Sequence, residues 1–474
     1  MKTRLWMFAA ILTCGIAVLS SCTNEDNPAE PEKPVVSAER MAFENGLSNV
    51  LQDAAEEIRF DACKQALETL GGFFESIEQG ALKEQIEVMI PEILNNTQVI
   101  MVSDLSQEDL KEISISLNDR FGMTEEDVQN MGVFMIVDAY NTIGTRKVTF
   151  QNGQATQGES DGFTIESIDN EGRSSSITLK FADERDGVRF FAARLFHATP
   201  VCIQLPRKID ISVSTANGVQ MSGSVELNTD APSRYISFKY GDWDATCSLT
   251  SDFGGRRETI EAFMHHTQER SFDLGVSLAF DGVNKLALSL KGMNQPYPKE
   301  YIESEELKSL RDCGTFFAAA YDVLKAINGS TIDEIQLTLS DKLVVTAQVN
   351  DVAGCLLALG NVRKMRHTEQ DFETIDQYSR ELNEKLHFNV AIKGTDIQAQ
   401  GSILTFLKGN EQKRYQPGVA LQFAGEEKPL MLFDRLTDED LEAYSMLEKN
   451  INELEGPFNT MLESLQTLIK GISF

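Results

Sequence analysis

Apolar residues near the start of the chain recur at steps of three and four. Leu47, Leu51, Ala54 and Ile58, continued by Cys63, Leu67, Leu70, Phe74 and Ile77, have the spacing of an amphipathic helix with one buried stripe. Gly71-Gly72 reads as a kink in that helix and Gly80 as its end, with a shorter helix over Leu82–Leu94. Ser106 is placed to cap a helix that stops at Gly122, and Thr124 opens another running to about Tyr140 through Val128, Met131, Phe134 and Met135. From Lys147 the period changes to two. Val148–Phe150, Phe163–Ile165, Ile177–Leu179 and Val188–Phe190 read as strands, with turns at Asn152-Gly153 and Glu171-Gly172.

The clearest hairpin joins Ile209–Val213 to Val219–Val225 through Asn217-Gly218. A second is expected over Arg234–Thr250 with its turn at Gly241-Asp242, then a helix over Arg257–Arg270 and a hairpin over Phe272–Leu290. A helix over Glu305–Ile327, a hairpin over Ile335–Val349 and mostly helix over Val352–Leu386 follow. Strands are expected over Leu386–Leu404 and Val419–Phe433. Thr437 caps a closing helix that Gly456-Pro457 breaks before Phe458–Ile469. Strands joined by short turns and helices grouped in blocks predict an α+β fold, antiparallel sheets of hairpins packed with long amphipathic helices. Lys208-Ile209 leading to Gln220–Val225 resembles Lys385-Leu386 leading to Gln398–Ile403. A duplication would make the folded region two similar halves.

The amino terminus supplies an address. Lys2 and Arg4 precede an apolar run from Leu5 to Leu19, too short to span a bilayer with these flanks, and Leu19-Ser20-Ser21-Cys22 closes it. This resembles the signal peptide and lipobox of bacterial lipoproteins, which implies removal of 1–21 and lipidation of Cys22. Thr23-Asn24-Glu25-Asp26 sets acids directly behind the lipid, similar to surface lipoproteins of the Bacteroidota. The resemblance implies outer-membrane anchorage, on the cell surface or, as a plain lipoprotein, on the periplasmic face. The Pro- and charge-rich stretch that follows favours extended geometry at about 3.1 Å per residue, a tether of roughly 40 Å. The chain therefore divides into leader (1–21), lipidated cysteine and tether (22–36), helical region (37–145), mainly antiparallel β region (146–254) and α+β region (255–474).

Charge narrows the partners. A formal net charge of −30 repels nucleic acid and anionic head groups, leaving the membrane, through the anchor, as the named partner beside an unidentified protein or small-molecule ligand. Cys63, Cys202, Cys247, Cys313 and Cys355 show no Cys-x-x-Cys spacing, which gives no support to a zinc or redox site and leaves a disulfide open. No cofactor is implied.

Three constellations invite chemistry. Gly158-Glu159-Ser160-Asp161-Gly162 matches Gly-x-Ser-x-Gly, but a nucleophile elbow needs a strand before the serine and a helix after it, and here a strand follows. Glu261, His265 and Glu269 share a face if their segment is helical, a weak candidate metal site; a solvated, salt-laced face is the plainer reading. Tyr235, Tyr240 and Trp243 cluster on one expected hairpin as candidate ligand or partner contacts, against the plainer reading of a cross-strand group covering a sheet. Adjacent Phe73-Phe74 and Phe316-Phe317 point to more than one helical face, as core or as the lining of an apolar cavity. The expectation is a non-enzymatic binding or interaction module; the alternative is a carrier or binder of a lipid or other apolar ligand in a helix–sheet cavity.

Overall fold

The structure, a computed structural model, describes residues 37–472 except 182–186, 196–198, 219, 230–234, 236–241, 268–270, 294–297, 314–316, 319–320, 322–330, 366, 409–413, 433–436 and 454. Leader, Cys22 and tether lie outside the described residues. Elements run α1 (Ala38–Glu57), α2 (Asp61–Ser76), α3 (Gln79–Asn95), β1 (Gln98–Met101), α4 (Gln107–Phe121), α5 (Glu125–Asn130), β2 (Val133–Val137) and α6 (Ala139–Ile143). Strands follow: β3 (Arg146–Gln151), β4 (Gln154–Glu159), β5 (Phe163–Ile168), β6 (Ser174–Phe181), β7 (Val188–Leu195), β8 (Thr199–Leu205), β9 (Lys208–Ser214) and β10 (Gln220–Thr229). Next come β11 (Trp243–Phe253), β12 (Arg256–His266), β13 (Ser271–Phe280), β14 (Val283–Met293), α7 (Lys299–Ile302), α8 (Glu305–Lys308), β15 (Thr331–Leu339) and β16 (Leu343–Val349). The chain closes with α9 (Val352–Arg363), α10 (Phe372–Lys385), β17 (Leu386–Ile392), β18 (Gln398–Lys408), β19 (Arg414–Gln422), β20 (Leu430–Met431), α11 (Asp438–Asn452) and α12 (Glu455–Ile472). The fold is α+β, and among the described residues no helix is long and apolar enough to cross a membrane.

Two compact units are present, and neither is continuous in sequence. One joins the chain up to Arg59 with Asn284–Ile451; the other joins Phe60–Val283 with the chain from Asn452. In the first, antiparallel strands run in the order β20-β19-β18-β17-β16-β15-β14. Their apolar face carries Leu343, Ala347, Val390 and Leu421, packed with Phe43, Leu47 and Val50 of α1, Ala358 of α9 and Leu382 of α10. The start of α1 is tied down by its cap. The Ser37 hydroxyl accepts from Arg40 N–H at 3.1 Å and donates to Glu426 Oε1 at 2.7 Å, while Arg40 pairs with Glu426 at 3.1 Å.

In the second unit the order is β13-β12-β11-β10-β9-β6-β5-β3-β4, antiparallel except that β3 and β5 are parallel. A smaller sheet, β1-β2-β8-β7, accompanies it, with β2 and β8 parallel. Phe73, Ile77, Ala81 and Leu82 of α2 and α3 cover Val148 and Phe150. Ala66 and Leu70 of α2 cover Val213, Met221 and Leu249.

Several sequence expectations need correction. The helix expected across Leu47–Ile77 is two helices in different units, parted at Ile58–Phe60, while Gly71-Gly72 sits inside α2 without ending it. The helix expected from Thr124 to Tyr140 stops at Asn130; Gly132 adopts φ +74° and Val133–Val137 becomes a strand, because a continuous apolar run fits a strand covered on both faces. The segment Arg257–Arg270 is strand up to His266, held between β11 and β13. The helix expected over Glu305–Ile327 begins instead as the short α8 followed by a 3₁₀ turn, Ser309–Cys313.

The break between α1 and α2 has a specific cause. Glu258 of β12, only 4% exposed, accepts from Ala62 N–H at 3.1 Å and Cys63 N–H at 2.7 Å, two orphan donors at the start of α2. Phe60 packs edge-on against Phe280 at 5.4 Å, and the Arg256 guanidinium lies over the Phe280 ring. A strand carboxylate thus substitutes for the capping side chain that Phe60 lacks. Burial pushes the Glu258 carboxyl above its usual range, opposed by those backbone hydrogen bonds.

Glu258→Ala leaves two buried N–H groups unsatisfied, and we expect a loss of about 2–3 kcal/mol in urea denaturation. Because the folded pKa is raised, the contribution of Glu258 declines as pH rises from the ordinary glutamate pKa through the folded one. The deficit of Glu258→Ala is therefore greatest at the acid end of that window and shrinks above it. A deficit that grew with pH would contradict this assignment.

Candidate functional site

Within the second unit, three segments far apart in sequence border a cleft of about 290 Å³. Gln65, Glu68, Thr69, Gly72 and Ser76 come from one stripe of α2, since steps of three and four place them on the same face. Ser167, Asp169, Arg173 and Ser175 come from the β5–β6 hairpin, and Ala216 and Asn217 from the β9–β10 turn. Phe73, buried, closes the wall.

The two glycines of α2 serve different ends. A Cβ on Gly71 would touch Met461 Cα at 3.5 Å, so that position admits α12 closely. A Cβ on Gly72 would meet nothing within 4 Å, and the missing side chain leaves the cleft floor open.

Much of the rim is fixed by internal hydrogen bonds. Asp169 accepts from Glu171 N–H at 2.8 Å, Arg173 N–H at 2.9 Å and Arg173 Nε at 2.8 Å. The Arg173 backbone and then its guanidinium hold the Asp169 carboxyl below the usual carboxylate range. Ser76 donates to Phe73 O and shares a hydrogen bond with Ser167 Oγ, and Ser175 Oγ accepts from Ala216 N–H at 3.0 Å. The cleft therefore offers hydroxyls at fixed points, with amides and the exposed Glu68 carboxylate beside them. Its single cation, Arg173, is already paired with Asp169 and Glu171.

The residues singled out from sequence lie elsewhere. Tyr235 is 6% exposed and forms a bridge with Arg189, stacked on Phe191 at 6.0 Å. Trp243 is 5% exposed at the start of β11, stacked on His266 at 5.6 Å and packed with Val188. The two belong to separate core clusters, and Trp243 pairs into β10 and β12, so they form no shared exposed platform. Tyr240 lies outside the described residues.

Glu261 and His265 sit on strand β12 instead of a helix; they share a face because four is an even step, and His265 contacts Asp244. Glu269 lies outside the described residues. Ser160 lies between two strands, its hydroxyl sharing a 2.8 Å hydrogen bond with Thr164, which continues to Thr178 at 3.0 Å. It is one rung of a hydroxyl ladder. Cys63, Cys202, Cys313 and Cys355 are buried as expected from their apolar neighbours, whereas Cys247 is exposed. Burial pushes the thiols of Cys63, Cys202 and Cys355 up to about 12.

No family model matches this sequence, and no curated protein and no solved structure matches it either.

Gly72→Ala, at a helical position with open space around the new methyl, should raise stability by about 0.5–1 kcal/mol through the unfolded state and helix propensity. A higher melting temperature in calorimetry is the expected readout; a lower one would show that the position is packed.

Proposed function

We propose that this chain is a lipid-anchored protein of the outer envelope, carried on the cell surface, that works as a non-enzymatic binding module with its ligand seated in the α2 cleft. The anchor rests on Leu19-Ser20-Ser21-Cys22 and the acids behind it. The observation that carries the binding role is the convergence of α2, the β5–β6 hairpin and the β9–β10 turn around the gap at Gly72. Asp169, held well ionised, suits fixed recognition better than proton transfer, which needs a pKa near the working pH. Glu68 and Asp169 outweigh the paired Arg173, which disfavours phosphates and carboxylates. The ligand is a small neutral compound rich in hydrogen-bonding groups, in keeping with a cleft at the low end of ligand-site volumes.

We also infer two related halves. Strands β6-β9-β10-β11 and β16-β17-β18-β19 follow the same neighbour order. Gly223 lies opposite Ile211, three residues after Lys208, and Gly401 opposite Phe388, three residues after Lys385. The insertions differ: β7 and β8 separate β6 from β9, while α9 and α10 separate β16 from β17.

Cys22→Ala should abolish acyl labelling and move the protein from membrane to soluble fractions; a variant that stays acylated and membrane-bound removes the anchor. A thermal-shift panel of neutral sugars, polyols and amides tests the cleft. Compounds that stabilise the wild type should lose at least tenfold in affinity on Gly72→Phe, which fills the gap. Equal binding to both forms, or a folded wild type that binds none of the panel, would overturn the cleft reading.

A further inference from the structure

We propose that the second unit carries a separate lipid site, a strip on the apolar face of its large sheet that accepts an extended acyl chain. Register fixes which residues share that face. One row runs Phe181, Ile209, Val225, Cys247, Ala262, Val276 across six strands. The row beside it runs Leu179, Ile211, Gly223, Leu249, Ile260, Leu278, and on the other side lie Leu227, Ala245, Met264 and Leu274.

None of these residues is fully buried, although Phe181 packs on Tyr140, Ile211 and Leu249 meet the edge of α2, and Leu227 and Ala245 meet the Val188–Trp243 cluster. Cys247 is exposed and Met264 is 36% exposed. The rows beyond them on the same face are closed. Val213, Met221, Ser251, Glu258 and Phe280 are buried at the α2 end, and Trp243, His266 and Phe272 at the end where Val188 packs. The opposite face of the same strands is hydroxyl-rich, with Thr178, Ser212, Ser222, Thr250 and Thr259 in one row. The alternation therefore assigns the apolar face to burial, yet its middle is only partly covered, and uncovered apolar surface marks a binding site.

The chemistry of the strip selects the occupant. Five strand spacings make the row roughly 24 Å long, and three rows lie between two walls. No charged or hydrogen-bonding group interrupts the central row apart from the Cys247 thiol. Strands β6, β9, β10, β11 and β12 are each paired on both sides, so an added peptide strand finds no backbone to bond. Protein interfaces concentrate energy in Trp, Tyr and Arg anchors, and the three rows contain none of these. Small side chains at Ala245 and Ala262 keep the strip shallow between aliphatic neighbours, which fits a flexible hydrocarbon chain. A net charge of −30 favours a neutral or zwitterionic lipid over a fatty-acid anion.

The test uses the full chain with Cys22→Ala, titrated with the neutral apolar dye N-phenyl-1-naphthylamine and competed with monopalmitoylglycerol. The wild-type strip should bind the dye and release it to the lipid. Ala262→Glu, on the strip, should weaken binding at least tenfold, while Phe263→Glu, the next residue on the opposite face, should leave it unchanged. Both positions are open to solvent, and circular dichroism checks that both variants fold. Absence of dye binding by folded wild type, or equal effects of the two variants, overturns the proposal. So does sedimentation showing a dimer that Ala262→Glu dissociates without any lipid competition, since a second copy would then be the occupant. Loss of the polar cleft through Gly72→Phe should not alter dye binding, so the two sites fail independently.

Discussion

One constraint governs both units: a strand sends successive side chains to opposite faces, so a sheet with one apolar face must have that face covered. In the first unit α1, α9 and α10 supply the cover, bringing Phe43, Leu47, Ala358 and Leu382 onto the strands. In the second, α2 and α3 cover one end of the strands through Ala66, Phe73 and Ile77. Covering helices must also be held in place, which explains why their starts are bonded to the sheet side. Glu258 bonds the first N–H groups of α2, and Glu426 takes Ser37 and Arg40 at the start of α1. Each device satisfies donors that would otherwise face an apolar layer.

The strands were the most legible part of the chain, because their signals are local. Asn152-Gly153, Glu171-Gly172 and Asp281-Gly282 adopt positive φ at the glycine, which only a residue without Cβ accepts freely. Helix termini with side-chain caps were equally readable: Ser106 accepts from Asp109 N–H at 3.0 Å and Gly122 closes that helix at φ +66°. Segments decided by tertiary pairing were not. Arg256–His266 offers Ile260, Ala262, Phe263 and Met264 to either period, and it becomes a strand because β11 and β13 pair with it along their length. The break before α2 was invisible for the same reason, since its cap comes from Glu258, 196 residues away from Ala62.

The cleft was half legible. The polar stripe Gln65, Glu68, Thr69, Gly72 and Ser76 has helical spacing and lies opposite the apolar stripe that defines the same helix. Gly71-Gly72 carried a signal of a different kind from the one its composition implied, a close approach and an open floor in place of a kink. The partners from Ser167 to Asn217 could not be assigned, because they reach the helix only through sheet order. Tyr235 and Trp243 are buried for a related reason: a tryptophan with tyrosines nearby attracts attention in a sequence, but a large ring is most often placed where it excludes water.

What the chain inserts between neighbouring strands decides where cover is missing. Between β16 and β17 the chain inserts two helices, and α10 returns to lie on β17, β18 and β19, closing the apolar face with Leu382. Between β6 and β9 it inserts two strands, which build the separate sheet β1-β2-β8-β7 and, among the described residues, pack Val188 and Leu205 with Trp243, Leu227 and Ala245 of the larger sheet. A strand pair buries its own backbone by pairing elsewhere and brings less apolar surface than a helix pair does. The two glycines differ as well. The Phe388 ring lies over Gly401 and fills the space its side chain would occupy, whereas the same space at Gly223 is taken by the Ser248 carbonyl and Leu249 Cδ1 of the neighbouring strand. The partly covered strip is thus a consequence of topology: the same alternation that makes one unit's core makes, in the other, an apolar face closed only towards its two ends.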